Sequence, residues 1–283
     1  MARLKKPKFA ITKDRSRRFV LFSLLLLLSL FFLIPYFWML SNSFKSSKEL
    51  IVDPKHLLPV NFTFNGYIRV LTEAPFFSWL KNSIVITTCN TLAVLFTSTL
   101  VGFVFSKYEF KLKNFLFWLL LASMMVPSQV TMIPGFILLS SLGFYDKIAA
   151  LIVPSFVSAF GIYLSKQFID EIPKEIIESA KIEGASNWMI YWKIIVPMIQ
   201  PAIGALAIFT FLANWNDYTG PLIMLSSVKN MTLPLALTYF NAQRSTDHSA
   251  TMAAASLVMV PVTLVFLALQ KYFIKGISMT GMK

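Results

Sequence analysis

The chain has 283 residues, of which 56% are hydrophobic and only 14% charged, with a mean hydropathy of +0.66. Soluble domains carry about 25% charged residues, so the composition excludes an ordinary soluble enzyme and points to an all-α integral membrane protein. The net charge of +13 suggests a nucleic-acid partner only until its placement is considered. Eight of the 26 basic residues (Arg3, Lys5, Lys6, Lys8, Lys13, Arg15, Arg17 and Arg18) fall within the first eighteen positions, directly before a long apolar run. That is the pattern of a cytoplasmic tail ahead of a first span, and no nucleic acid is expected. The single cysteine, Cys89, allows neither an intrachain disulfide nor a cysteine metal site, and it reads as an inert buried thiol.

A helix needs about 20 apolar residues to cross a bilayer. Residues 19–40 are uncharged throughout and exceed the ~7–15-residue core of a signal peptide, so they form an uncleaved first span. A long, mixed loop with Pro54, Pro59 and Pro75 follows, partly ordered outside the membrane. The further uncharged stretches are 82–106, 114–145, 148–165, 194–216 and 249–270. The third is too long for one straight span and contains Pro127 and Pro134, so a break is expected there. The fifth has room to extend past Asp217 toward Met224.

Charge placement decides between six spans and seven. With six spans and the N-terminus inside, eighteen of the 26 basic residues fall on the cytoplasmic side. A seventh span would invert everything after the third. The domain reading is a basic tail at 1–18, a six-helix transmembrane domain at 19–275 and a cytoplasmic tail at 276–283.

The cytoplasmic loop of about 168–197 is the acidic centre of the chain, with Asp170, Glu171, Glu175, Glu178 and Glu183. Pro173 suits the first position of a helix, and the acids near it suit the positive end of the helix dipole. Lys181 lies near the end of that helix, and Gly184 sits where a left-handed stop is needed. Ser186 can cap a second helix, in which Trp188, Tyr191, Trp192 and Ile195 form one aromatic-rich stripe. The product is a helix–glycine–helix elbow. It can dock in a groove of another protein or lie on lipid headgroups.

The run Glu178-Ser179-Ala180-Lys181-Ile182-Glu183-Gly184-Ala185, followed by Ile194-Ile195-Val196-Pro197, resembles the EAA motif of bacterial ABC importer permeases. Three departures are conservative: Ser179 for the usual first alanine, Glu183 for aspartate and Val196 for leucine. Trp215-Asn216-Asp217-Tyr218 with Pro221-Leu222, then Thr232-Leu233-Pro234-Leu235, resemble segments of carbohydrate permeases. The tail Gln270-Lys271-Tyr272-Phe273-Ile274-Lys275-Gly276 is similar to that of the maltose-type second permease. The resemblance runs nearly end to end.

It implies the six-helix type I ABC importer permease fold in a bacterial cytoplasmic membrane, with both termini cytoplasmic. It also implies one half of a sugar pathway, without catalytic residues, cofactor or metal. The implied partners are a second, different permease, two ATPase subunits and an extracytoplasmic solute-binding protein. The EAA elbow would then seat in a cleft of an ATPase subunit, with Glu178 pairing with a basic residue there and Gly184 making the turn. Ser179, Ala180, Glu183, Ala185 and Pro197 complete that element. The chain has no Gly-rich Lys-Ser/Thr phosphate loop, so ATP hydrolysis falls to a partner.

For the substrate path, the polar groups Asn214, Asn216 and Asp217 lie in or near the fifth span, where an ionisable group is a functional candidate. Trp215 and Tyr218 either stack on a sugar ring or form an interfacial belt. Asn90, Thr91 and Gln129 are weaker candidates. A permease for another solute, such as glycerol-phosphate or a peptide, and a secondary transporter are the alternatives. Inverted repeats and charge within the spans would favour the transporter, and neither is clear. An intramembrane enzyme would need histidines or a base within the spans, whereas His56 and His248 fall in outer loops.

Overall fold

The computed structural model describes residues 9–52, 55–242 and 247–280. Arg3, Lys5, Lys6, Lys8, Arg244 and Lys283 therefore lie outside the described residues. All regular structure among the described residues is helical: α1 (Phe9–Asn42), α2 (Ser47–Val52), α3 (Asn65–Thr72), α4 (Phe76–Lys107), α5 (Lys113–Ser123), α6 (Ser128–Ser141), α7 (Ala149–Ile152), α8 (Ala159–Asp170), α9 (Lys174–Ile182), α10 (Asn187–Ile190), α11 (Val196–Met198), α12 (Gln200–Trp215), α13 (Thr219–Met224), α14 (Leu233–Ala242) and α15 (His248–Thr280). A 3₁₀ turn, Val153–Phe156, joins α7 to α8, and a π turn, Tyr191–Ile195, joins α10 to α11. Four helical segments are long and apolar enough to cross a membrane, and two bent pairs raise the number to six if each pair is one span. The helical runs outreach the sequence estimates. α1 starts within the basic tail, α4 starts six residues before position 82, and α15 continues through residue 275 to Thr280.

The chain divides into two compact units, residues 1–70 with 247–256 and residues 71–246 with 257–283. In the first, the large apolar side chains of α1 from Phe19 to Leu40 are exposed, apart from a half-buried Met39. A helix apolar on every side is stable where lipid or another apolar surface surrounds it. Phe44, Phe62, Phe64 and Tyr67 cluster at the foot of α1. Lys45 is fully buried, and its ammonium donates to the carbonyl of His56. Asp247 precedes α15, where it accepts from the Ala250 N–H (3.1 Å), from Ser47 Oγ (2.5 Å) and from Arg69. Burial of the Asp247 carboxyl works against its charge, but these donors outweigh burial and hold it below the usual carboxylate range.

The second unit is organised around α4, which packs against α8 and α12. Small residues let α4 and α8 approach closely. A Cβ on Gly161 would lie 2.3 Å from Ser98 Oγ, and one on Gly102 would lie 2.9 Å from the Ser165 Cβ. Ser98/Gly102 and Gly161/Ser165 are thus matching small–xxx–small pairs, the usual device for helix contact in lipid. The register is parallel, because Ser106 meets Asp170 (2.6 Å) further along both helices. Two parallel helices need an odd number of crossings between them. The pair α5–α6, bent by 97° near Pro127, therefore counts as one broken span. This bears out the break expected between residues 114 and 145 and disposes of a seventh span.

α12 runs antiparallel to α4: Tyr191 meets Thr99 near one end, and Asn214 meets Asn90 midway. At the other end of α4, Trp79 Nε1 donates to the Val228 carbonyl, Asn82 to the carbonyls of Lys229 and Met231, and Ser83 Oγ accepts from the Leu233 N–H. Asp146 ties the same loop down, accepting from the Ser226 and Ser227 N–H groups (each 2.9 Å) and from Ser227 Oγ. Cys89 is exposed on the surface of α4, not buried as the sequence suggested, because the buried seam of α4 is formed by Ile86, Thr87, Asn90 and Val94.

Two predictions follow from this packing. Gly161→Val forces a branched side chain into Ser98, and the expected loss is about 1–3 kcal/mol, read as a lowered melting temperature of the detergent-solubilised protein. The hydrogen bonds from Ser227 and Ser226 pull the Asp146 carboxyl from 3.8 down to about 2. A depressed carboxyl stabilises the fold above its unfolded value and loses that contribution as pH falls through the folded one. Melting temperature should therefore drop between about pH 4 and pH 2, and the Asp146→Asn protein should show a shallower drop over that window.

Candidate functional site

Two places concentrate polar groups that the packing does not consume: the elbow of α9 and α10, and a break in the fifth span. The elbow is built from local rules. Pro173 precedes α9 and adopts an extended conformation, one position earlier than the sequence suggested. Glu175 lies in the first turn and Lys181 in the last. Gly184 has φ +83°, its N–H donates to the Lys181 carbonyl (3.0 Å), and the Ala185 N–H donates to the Ala180 carbonyl (2.9 Å). This pair of bonds is a Schellman stop, which favours glycine because a Cβ is strained at positive φ. Ser186 then caps α10 by accepting from the Met189 N–H (3.2 Å).

Ile177 anchors α9 from below. It is buried with Ile169, Ile172, Ile190, Tyr191, Ile195, Ile199 and Phe103, and Ala180 and Ala185 pack against the same cluster. Small residues at 180 and 185 let the elbow lie close to its base. The opposite face is open: Glu178, Ser179, Ile182, Glu183 and Gly184 are exposed, as is Pro197. Ile182 is 88% exposed, an apolar side chain among acids that nothing among the described residues covers. Glu178 forms no ion pair among the described residues.

The aromatic stripe is present but split by burial. Tyr191 and Ile195 are buried, while Trp188 and Trp192, both in edge contact with the Tyr191 ring, are about half exposed, at 56% and 52%. Pro197 supplies the physical reason. It has no N–H and its ring crowds the carbonyl four residues back, so the helix widens ahead of it into the π turn Tyr191–Ile195. Residues 191, 195 and 199 then line one buried edge, and the tryptophans rotate off it. The buried Tyr191 hydroxyl meets Thr99 Oγ1 at 2.7 Å. Thr99 already donates to the Leu95 carbonyl, so the tyrosine is the donor.

The second place is the end of α12. The helix stops at Trp215, and α13 starts at Thr219. Asn90, fully buried, donates to Asn214 Oδ1 (2.6 Å) and to the Leu151 carbonyl (3.1 Å). It lies about 21 Å along α4 from Phe76, near the middle of that helix. The break therefore sits at mid-depth of the spans. Non-helical backbone is tolerated there only within protein or beside a water-filled cavity. A cavity of about 230 Å³ is present, and Asn214, Asp217, Thr131, Ser155, Gly220 and Thr232 supply its polar and small lining.

Of the five residues expected on the substrate path, Asn214 and Asp217 reach this cavity, and Trp215, Asn216 and Tyr218 do not. Trp215 is buried, stacks on Phe211 and donates through Nε1 to the Val258 carbonyl (3.2 Å), so it is not offered to a ligand. Asn216 donates to the Leu212 carbonyl, four residues back in α12. Tyr218 is exposed beside the break. Thr131 and Ser155 were not foreseen. Isolated hydroxyls in apolar runs usually satisfy their own helix, and only the fold brings these two to one wall.

Residues 95–279, which include the elbow and the break, match the family of binding-protein-dependent transport system inner membrane components. The chain belongs to that family. It is 33% identical to the arabinooligosaccharides transport system permease protein AraQ of Bacillus subtilis, over 98% of both chains. It is 26% identical to the diacetylchitobiose uptake system permease protein NgcG of Streptomyces coelicolor, over 97% of this chain and 92% of that one. A crystal structure of a bacterial ABC transporter involved in import of the acidic polysaccharide alginate contains a chain of the same fold. Its TM-score is 0.81 at 22% identity, covering 96% of this chain and 100% of that one. The fold is thus the type I importer permease fold.

The Tyr191–Thr99 bond is a buried polar tie from the elbow base to the last third of α4. Tyr191→Phe should cost about 1 kcal/mol of stability and leave the fold otherwise intact, checked by thermal unfolding against the parent protein.

Proposed function

We propose that this chain is one of two permease subunits of an ATP-driven sugar importer, forming half of the translocation pathway and no catalytic site of its own. Its partners are a second, different permease, two ATPase subunits and an extracytoplasmic solute-binding protein. The observation that carries this reading is the elbow. α9 is held from beneath by Ile177 and closed by Gly184, and it presents Glu178, Ser179, Ile182 and Glu183 outward. A short rigid helix with an open, mixed face suits a groove on a partner. An elbow locked to its base can transmit force, and a loose one cannot.

On this reading the elbow faces the cytoplasm. Lys107, Lys111, Lys113, Lys166, Lys174, Lys181 and Lys193 all lie in the segments at its end of the spans, which agrees with the excess of basic residues on that side of a membrane. Both termini are then cytoplasmic, with tails at 1–18 and 276–283 flanking a membrane domain of 19–275. Closure of the ATPase pair on ATP moves the elbow, and the spans packed on it exchange an outward-open for an inward-open arrangement. The mid-span cavity lies where a transporter holds its solute, at a break between helices. The named activities of AraQ and NgcG, together with the hydroxyl and amide lining, support an oligosaccharide as the cargo.

The test is Gly184→Pro. Proline cannot take the positive φ of this stop, so the elbow reorients while the spans remain. The expected result is normal membrane insertion with uptake abolished and weakened co-purification of the ATPase. Normal uptake by this variant would remove the coupling role from the elbow.

A further inference from the structure

We propose that the mid-span cavity holds one uncharged sugar ring and rejects acidic sugars, and that Asp217 is the residue that sets this choice. The proposal rests on the importer reading above and goes beyond it by naming the charge class of the cargo and the group that selects it.

The lining has the chemistry of a carbohydrate site. Thr131 and Ser155 bring hydroxyls that donate to the Ser128 and Leu151 carbonyls and are left to accept, Thr232 brings a hydroxyl with no partner, the Asn214 amide is engaged by Thr210 and Asn90, and apolar walls come from residues such as Ile86, Leu151 and Met224. A sugar offers the same mixture, with hydroxyls at its rim and C–H groups on its faces. Thr232 is 5% exposed and its Oγ1 has no hydrogen-bond partner. Buried hydroxyls are seldom left so, and an unpartnered one beside a cavity marks a place where a ligand or water is expected. The volume of about 230 Å³ falls below the ~300–1,000 Å³ of sites for drug-sized ligands, which suits one ring of a chain better than several.

The charge on the wall is negative. Among the described residues, Asp217 is the only ionisable side chain lining the cavity, and no Lys, Arg or His lines it. One carboxylate oxygen, Oδ1, accepts the Gly220 N–H at 3.1 Å and so caps α13. The other, Oδ2, receives no donor among the described residues. It is free to accept hydroxyl protons from a sugar, as carboxylates do well. A uronate ring would bring a second negative charge against it at mid-membrane depth, where water screens poorly and like charges repel strongly.

Gly220 fixes where that carboxylate sits. A Cβ at position 220 would lie 2.5 Å from Asp217 Oδ2. Gly220→Ala therefore displaces the carboxylate without removing its charge. Asp217→Asn does the reverse, keeping a carbonyl oxygen for the Gly220 N–H while removing the charge.

The experiment uses the purified complex of this chain with its partner permease and ATPase subunits, without the solute-binding protein, so that outside selection plays no part. Thermal protection is measured with glucose against glucuronate, galactose against galacturonate, and arabinose. The expected result is protection by at least one neutral sugar, with an apparent affinity at least about tenfold above that of its uronate. In Asp217→Asn this ratio should fall toward one, through weaker binding of the neutral sugar, stronger binding of the uronate, or both. Gly220→Ala should weaken the neutral sugar while the uronate stays excluded.

Equal protection by a sugar and its uronate in the unmodified complex would overturn the proposal. So would an unchanged ratio in Asp217→Asn, or protection by no sugar from a complex that still transports. Those outcomes leave the importer reading standing, because it fails only if Gly184→Pro transports normally.

Discussion

Everything in the larger unit leans on the seam along α4. In lipid, a helix cannot gain by hiding apolar surface, because the solvent is already apolar. What holds α4 to its neighbours is close backbone approach and a few buried polar bonds. Ser98 against Gly161 and Gly102 against Ser165 supply the approach. Asn90 with Asn214, Thr99 with Tyr191 and Ser106 with Asp170 supply the bonds. These contacts space themselves along the second half of the helix, from Asn90 to Ser106. They set α8 parallel to it and α12 antiparallel, and that choice forces the intervening chain to cross once.

The two candidate sites lie at different heights on the same seam. The elbow cluster closes on Phe103 near one end of α4, through Tyr191, Ile195 and Ile199. The cavity opens near the middle, where Asn90 grips the last turn of α12. A displacement of the elbow therefore reaches the cavity through α4, which runs unbroken between the two levels, and through α12, which starts at Gln200 after a 79° bend from the Asn187–Met198 segment. Rigid elements with packed small-residue contacts transmit such a shift with little loss, because there is no soft layer between them. At the far end, Trp79, Asn82, Ser83 and Asp146 knot the loop after α13 into place, so the half-helix at the break is anchored on both sides.

Asp217 shows why a structural and a functional account of one residue are compatible. Its Oδ1 does ordinary capping work for α13, taking one N–H of a first turn that has no intrahelical partner. Its Oδ2 remains over, and Gly220 leaves the room that keeps it there. A residue required for the break is thereby also the residue that gives the cavity its sign. Trp215 is the opposite case. Its large ring is absorbed into packing with Phe211 and Val258, and nothing is left for a ligand.

How much was legible from the amino acids divides along the range of the forces involved. The apolar runs, the cytoplasmic bias of the lysines and the caps of the elbow were all readable, because hydropathy, charge and capping act over a few neighbouring residues. Pro173, Gly184 and Ser186 do their work on carbonyls and N–H groups no more than five positions away. The kinks were half legible: Pro127 and Pro197 announce a disturbance but not its form, since a 97° bend or a π turn depends on what packs beside it. Cys89 and Trp215 were misplaced because a helical period says which residues share a face and not which face meets a neighbour. The cavity lay beyond the sequence altogether. Thr131, Ser155, Asn214 and Thr232 come from four separate segments, and only the parallel seating of α8 on α4, decided by contacts between residues more than sixty positions apart, brings them to one wall.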